Sequence, residues 1–124
     1  MNKQMAAIAL CALVGAPLDS HAAGRATNFY VQQVRVDSSG KGYVRFDQAL
    51  GNASPTSLQP ECAKNPLNPH PSDLAFDVNT PGGKAVMSLA MLAKASNLRV
   101  TAVGTGACAT YGTVEDWYYG WVAD

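Results

Sequence analysis

Hydrophobic and polar positions along the chain follow two periods. Asn28–Asp37, "NFYVQQVRVD", is rich in β-branched and aromatic side chains. Tyr43–Asp47, "YVRFD", alternates, with Val44 and Phe46 on one face and Tyr43, Arg45 and Asp47 on the other. The turn Ser38–Gly42 lies between them, so the two segments read as a hairpin. In the first strand the apolar phase slips between Val31 and Val34, which predicts a bulge or a strand that bends between two regions of sheet. Leu74–Val78 alternates again, with Leu74, Phe76 and Val78 on one face.

The period then changes. Val86, Leu89, Ala90 and Ala93 stand at i, i+3, i+4 and i+7, so Lys84–Ser96 reads as a helix with one narrow apolar stripe. Thr80 suits the N-cap, Pro81 the first helical position and Asn97 the stop. Leu98–Gly104 and Asp116–Val122 are the last two strands, with the loop Gly104–Thr113 between them. The expected fold class is therefore mainly β with one helix, in the order β-β-β-α-β-β. That is the element order of the OB fold, a five-stranded and partly open Greek-key barrel. Val44, Phe46, Phe76, Val86, Leu89 and Val100 lie on the apolar faces and form the expected core.

Two segments fall outside this pattern. Between Ala49 and Ser72 stand five prolines, Pro55, Pro60, Pro66, Pro69 and Pro71, which cannot donate to a β ladder, so the stretch is a long loop. It contains Asn52 in an Asn-Ala-Ser sequon, followed at once by Pro55. The N-terminus has the plan of a secretory signal peptide over residues 1–22. Lys3 is basic, Met5–Ala16 is apolar, Pro17 breaks the run, and Ser20-His21-Ala22 is a small-x-small cleavage site. About a dozen apolar residues are too few to span a bilayer, so a membrane anchor is not expected. The mature part, residues 23–124, has the length of a single domain. The expected location is the periplasm or the exterior of the cell.

Export changes how charge and cysteines are read. Without Lys3 and Asp19 the remaining chain has eight basic and eight acidic residues. A nucleic-acid binder would usually carry a basic excess, so no such partner is expected. Cys11 belongs to the signal. Cys62 and Cys108 remain, and in an oxidising compartment the simplest use of two cysteines is one disulfide. It would close a loop of about 47 residues and stabilise the fold by about 4 kcal/mol on the chain-entropy argument.

Little in the sequence points to catalysis, and neither an enzyme nor a cofactor is expected. One histidine, His70, remains in the mature chain, between Pro69 and Pro71, and reads as an incidental loop residue near Ser72 and Asp73. One histidine and a bonded cysteine pair do not make a zinc site, so no metal is expected. Glu115 and Asp116 are adjacent and would point to opposite faces, which disfavours a paired acid and base. "TPGGKAV", Thr80–Val86, lacks the hydroxyl residue of a phosphate loop and reads as a helix entry turn. The glycines of "GTGAC", Gly104–Cys108, would permit the tight backbone that reaches the disulfide.

The chain ends in "EDWYYGWVAD", which holds four of its ten aromatic residues. In an unbroken strand Trp117, Tyr119 and Trp121 share one face, and Tyr118, Gly120 and Val122 share the other. If the first face is buried, its three rings are core. If it is open, they form a flat apolar row with polar edges, suited to a sugar or a protein partner. The expected outcome is a split, with at least one ring accessible. Trp117, Tyr119 and Trp121 are accordingly the candidate ligand-binding residues.

"GKAVMSLAMLAKASNLRVTAVGTGAC", Gly83–Cys108, with the upstream strands and Cys62, resembles small exported bacterial proteins grouped with the binding subunit of subtilase cytotoxin. The resemblance runs from Phe29 to Val122 and rests mainly on residues that determine fold. It implies an OB fold, a homo-oligomeric ring of five and binding of sialylated glycans, with the catalytic part on a separate chain. No glycan-contacting residue maps onto this sequence by a motif. Two functions stay open: a binding module for a cell-surface glycan, and a monomeric envelope protein that binds or inhibits another protein through the aromatic edge or the long loop.

Overall fold

A computed structural model describes residues 23–51 and 59–123. The signal-peptide reading, the Asn52 sequon and Pro55 lie outside the described residues. The chain forms strands β1 (Arg25–Val36), β2 (Lys41–Phe46) and β3 (Asp73–Asp77), helix α1 (Pro81–Ser96), and strands β4 (Arg99–Gly104) and β5 (Trp117–Ala123). A short 3-10 turn, Glu61–Lys64, carries Cys62. The fold is mainly β, a five-stranded antiparallel sheet in the order β3-β2-β1-β4-β5 with one helix packed on it.

The long strand β1 links the two halves of this sheet. Its first half pairs with β4, from Arg25↔Val103 to Tyr30↔Arg99, and its second half pairs with β2, from Val31↔Phe46 to Val36↔Gly42. The register shifts between Val31 and Gln33, where the apolar phase slips in the sequence. A second shift, between Ala26 and Phe29, centres on Asn28, whose φ of 56° places it in the left-handed region. Two irregularities in one strand let it turn from one half of the sheet to the other. The sheet is not closed: β3 and β5 are its two edges, and an isolated parallel bridge links Ala75 of β3 to Asp116, just before β5.

Helix α1 begins and ends as its sequence specifies. The Thr80 side chain accepts a hydrogen bond from Gly83 N at 2.9 Å, Pro81 occupies the first turn, and Asn97 caps the C-terminus at φ 51°. Gly83 is required by packing, because a Cβ there would lie 1.7 Å from the Asp77 carbonyl oxygen. Ala90 and Ala93 are fully buried, and Val86 and Leu89 pack beside them half-buried. The small side chains let the helix axis approach β1 and β3 closely.

The core lies between α1 and the inner face of the sheet. Val44, Phe46, Phe76 and Val100 are buried there, with Leu74, Phe29 and Val31. Each large apolar side chain contributes about 1.5–3 kcal/mol. Tyr43, on the opposite face of β2 from Val44 and Phe46, is buried in a second small cluster with Ala75 and Val114, against which Tyr111 packs. The cover is the loop between β4 and β5. It is tied by the Cys62–Cys108 disulfide to the segment that precedes β3.

Candidate functional site

Strand β5 does not keep one face throughout. Trp121 pairs with Thr101, Gly120 with Ala102 and Tyr119 with Val103, but Trp117, not Tyr118, pairs with Gly104. This register shift places two residues of β5 opposite one step of β4 and reverses the side on which Trp117 emerges. Trp117 therefore does not share a face with Tyr119 and Trp121, as it would in an unbroken strand, and the rings divide between core and surface. Trp117 turns inward, packs against the main core and stacks on Phe46, with ring centroids 6.3 Å apart. Gly120 makes the room: a Cβ there would lie 2.6 Å from Trp117 Cζ2 and 2.7 Å from the Thr101 carbonyl oxygen.

Tyr119 and Trp121 remain on the outer face. Their rings stack at 6.3 Å with an interplanar angle of 12°, and each residue is 47% exposed. Tyr118, bulged out beside them, is 68% exposed and meets Tyr119 edge-on at 5.2 Å. Polar groups flank the rings. Thr101, the ladder partner of Trp121, accepts a hydrogen bond from Asn28 N at 3.2 Å. Further along the same face the Arg99 guanidinium lies 4.9 Å from the Tyr30 ring centre and donates to its hydroxyl at 3.3 Å. Three accessible rings beside hydrogen-bonding side chains can cover the apolar face of a ligand and hold its polar edge. Tyr118 also borders a groove of about 290 Å³ between β5 and the start of α1, lined by Phe76, Thr80, Val86 and Trp117.

A second concave site was not foreseen from the sequence. A cleft of about 410 Å³ opens between the outer face of β1 and β2 and the two loops that the disulfide ties together; Arg35, Tyr43, Arg45, Asn68, His70 and Tyr111 are among its walls. Beneath it Asp73, fully buried, accepts from Arg45 Nε at 2.8 Å and Nη2 at 2.9 Å, and its Oδ2 lies 2.6 Å from His70 Nδ1. The bond to Asp73 raises the Arg45 pKa further. His70 is thus not the incidental loop residue expected: it is buried, and it ties the proline-rich segment to β3. The Arg35 and Arg45 guanidinium carbons stand 5.5 and 5.4 Å from the Tyr43 ring centre, within cation–π range. At the rim Tyr111 donates to Asp37 at 2.7 Å. Hydrogen bonds from Ser39 and Tyr111 hold Asp37 down to about 2, and desolvation followed by the Asp37 contact pushes Tyr111 up to about 12.

The sequence carried a partial signal for this cleft. Alternation put Tyr43 and Arg45 on one face of β2, and His70 and Asp73 are three residues apart. Their meeting depends on the ladder pair Arg45↔Asp73, which the sequence alone does not specify. Glu115 and Asp116 diverge as expected: Glu115 is buried against Gly24 and Gly106, and Asp116 accepts from Ala109 N and Thr110 N at 2.7 and 3.0 Å. Among the described residues no three His, Cys, Asp or Glu side chains gather as a metal site, and no helix is long and apolar enough to cross a membrane. No protein-family model matches the chain, and no curated protein or solved structure shows significant similarity to it.

Proposed function

We propose that this chain is an exported, non-catalytic binding module that recognises a carbohydrate through the outer face of β5. The stacked, half-exposed pair Tyr119–Trp121 carries the reading. Exposing two large rings in register forgoes the stabilisation that their burial would give, and Trp117 shows that the fold has room for an indole inside. Tyr118 extends the surface to three rings. A sugar ring has one flat apolar face and a rim of hydroxyls. The aromatic pair matches the face, and Arg99, Tyr30 and Asn28 lie on the same sheet as candidate partners for the rim.

The architecture behind this proposal is an OB-like barrel. The element order, the bend of β1 between two half-sheets and the parallel bridge Ala75↔Asp116 between the open edges support it. Secretion or periplasmic residence rests on the signal-peptide pattern of residues 1–22. Resemblance to toxin binding subunits favours a cell-surface glycan as the ligand and a ring of five subunits as the assembly.

The test uses Tyr119→Ala and Trp121→Ala variants on a glycan array, with light scattering run in parallel. Loss of glycan binding at unchanged mass supports the carbohydrate reading. A fall in mass as the first effect assigns the rings to a subunit contact. Wild-type protein that binds no glycan yet captures a protein partner in a Trp121-dependent way returns the reading to a protein-binding envelope protein.

A further inference from the structure

The fold contains a buried carboxylate that neither binding surface uses. Glu115 is fully buried, and its Oε1 and Oε2 accept from Gly24 N at 2.9 and 3.1 Å. Oε1 also accepts from Gly106 N at 3.0 Å. The surroundings are built to admit this side chain. A Cβ at Gly104 would lie 2.1 Å from Oε1, and one at Gly24 would lie 2.6 Å from Oε2, with Gln59 and Leu50 closing the other sides of Gly24. Among the described residues no lysine, arginine or histidine stands within ion-pair distance of Glu115. Burial pushes its carboxyl up, the Gly24 and Gly106 amides pull it down, and the like charge of Asp116 adds to the rise. Two backbone amides thus make three hydrogen bonds to this buried carboxylate, and no counter-charge stands beside it among the described residues.

We propose that the Glu115 pocket is a binding site for a primary ammonium group, and that its ligand is the chain's own α-amino group, released at Ala23 by cleavage after Ala22. The inference rests on the export reading for the cleavage and on the pocket geometry for the rest. Successive backbone nitrogens are roughly 3–4 Å apart. A terminus at Ala23 therefore places a positive charge one residue from the Gly24 N–H that already donates to Glu115. In the uncut chain that position is a neutral amide and cannot compensate the carboxylate. A carboxylate offers about four lone-pair sites, so the three hydrogen bonds from the Gly24 and Gly106 amides leave room for a further N–H. The low-dielectric setting strengthens the pair.

The consequence is a latch that closes on processing. It fastens the N-terminal end of β1 to the segment between β4 and β5, which also carries Cys108 and the Tyr111 wall of the cleft. Its pH dependence follows from the ammonium. A paired α-amino group has a folded pKa above its ordinary value of about 7.7–8. The stability it contributes is fully present below that value and is lost as pH rises through the folded pKa. The groups that bear on it are Glu115, Asp116 and the neighbouring Arg25.

The experiment expresses the full precursor, exports it and purifies the processed protein. Inserting Gly-Ser between Ala22 and Ala23 keeps the cleavage signal and moves the new terminus two residues away from the pocket. The native-terminus protein should have the higher urea midpoint at pH 6, and the advantage should vanish above pH 10 and in a Glu115→Gln background. Should Glu115→Gln not fold, NMR titration of the wild-type α-amino group decides: a pKa raised by at least one unit, a tenfold change in proton affinity, supports the latch. An ordinary α-amino pKa, or equal midpoints for the two termini, overturns it. N-terminal sequencing separates the two premises. A terminus other than Ala23 refutes the cleavage step, while protein released from a fusion so as to begin at Ala23 still tests the pocket.

Discussion

Replacing Gly120 by alanine tests the packing that separates Trp117 from the other two rings. No positive φ constrains this glycine, so its backbone can accept an alanine and the penalty is steric alone. The new methyl would lie 2.6 Å from Trp117 Cζ2, 2.7 Å from the Thr101 carbonyl oxygen and 3.0 Å from Ala102 Cβ. The first two are closer than a methyl group tolerates, and one involves a backbone oxygen that the ladder holds in place. Overpacking of this kind costs about 1–3 kcal/mol. The opposing gain, from restricting the unfolded chain, is about 0.4–1 kcal/mol. The steric effect wins, and Gly120→Ala should destabilise by about 1–2 kcal/mol, or about 4–16 °C in Tm for a domain of this size. Gly82→Ala is the control, because nothing lies within 4 Å of a Cβ there and the same substitution should stabilise. Urea unfolding followed by circular dichroism reads the stability. In a Trp121→Phe background Trp117 is the sole tryptophan, so under selective tryptophan excitation its displacement should appear as stronger quenching by acrylamide. A Gly120→Ala protein as stable as Gly82→Ala, with Trp117 emission unchanged, would refute the inward placement of Trp117 and with it the split of the aromatic row.

Other substitutions probe the supports of the two sites. Changing both Cys62 and Cys108 to serine should cost about 4 kcal/mol by urea unfolding, since the bridge spans 46 positions of sequence. Asp73→Ala leaves Arg45 and His70 without their shared acceptor. The cost should be about 3 kcal/mol, at the lower end for a broken buried pair because Arg45 can turn to solvent, and thermal unfolding would measure it. Tyr111→Phe removes a donor from Asp37, whose folded pKa is held near 2 against an ordinary 3.8. A depressed carboxylate contributes stability that is present above its unfolded pKa and is lost as pH falls through the folded value. The variant should therefore show a higher Asp37 pKa by NMR and a flatter loss of stability between pH 4 and pH 2. An unchanged titration would show that Tyr111 does not hold this carboxylate.

Local physics wrote much of this protein directly into its sequence. Thr80, Pro81 and Asn97 bound the helix because capping and proline geometry act within one turn. Val44, Phe46, Phe76 and Val100 could be assigned to the core because a strand's period of two needs no knowledge of its partner. The pairing of Cys62 with Cys108 followed once Cys11 was set aside with the expected signal segment, and the slip between Val31 and Val34 marked a real irregularity of β1. What the sequence left open depends on register. The shift between β4 and β5 inverts Trp117 relative to Tyr119 and Trp121, and in the run Trp117-Tyr118-Tyr119, where every side chain is aromatic, alternation carries no mark of the extra residue. Alternation put Tyr43 on the second face of its strand but could not say what covers that face, which is the disulfide-tied loop. His70 looked incidental, and Glu115 was judged only against its neighbour Asp116, for the same reason. Their partners, Asp73 through its pairing with β2 and Gly24 from 91 positions away, are chosen by how the strands come together, not by neighbours along the chain.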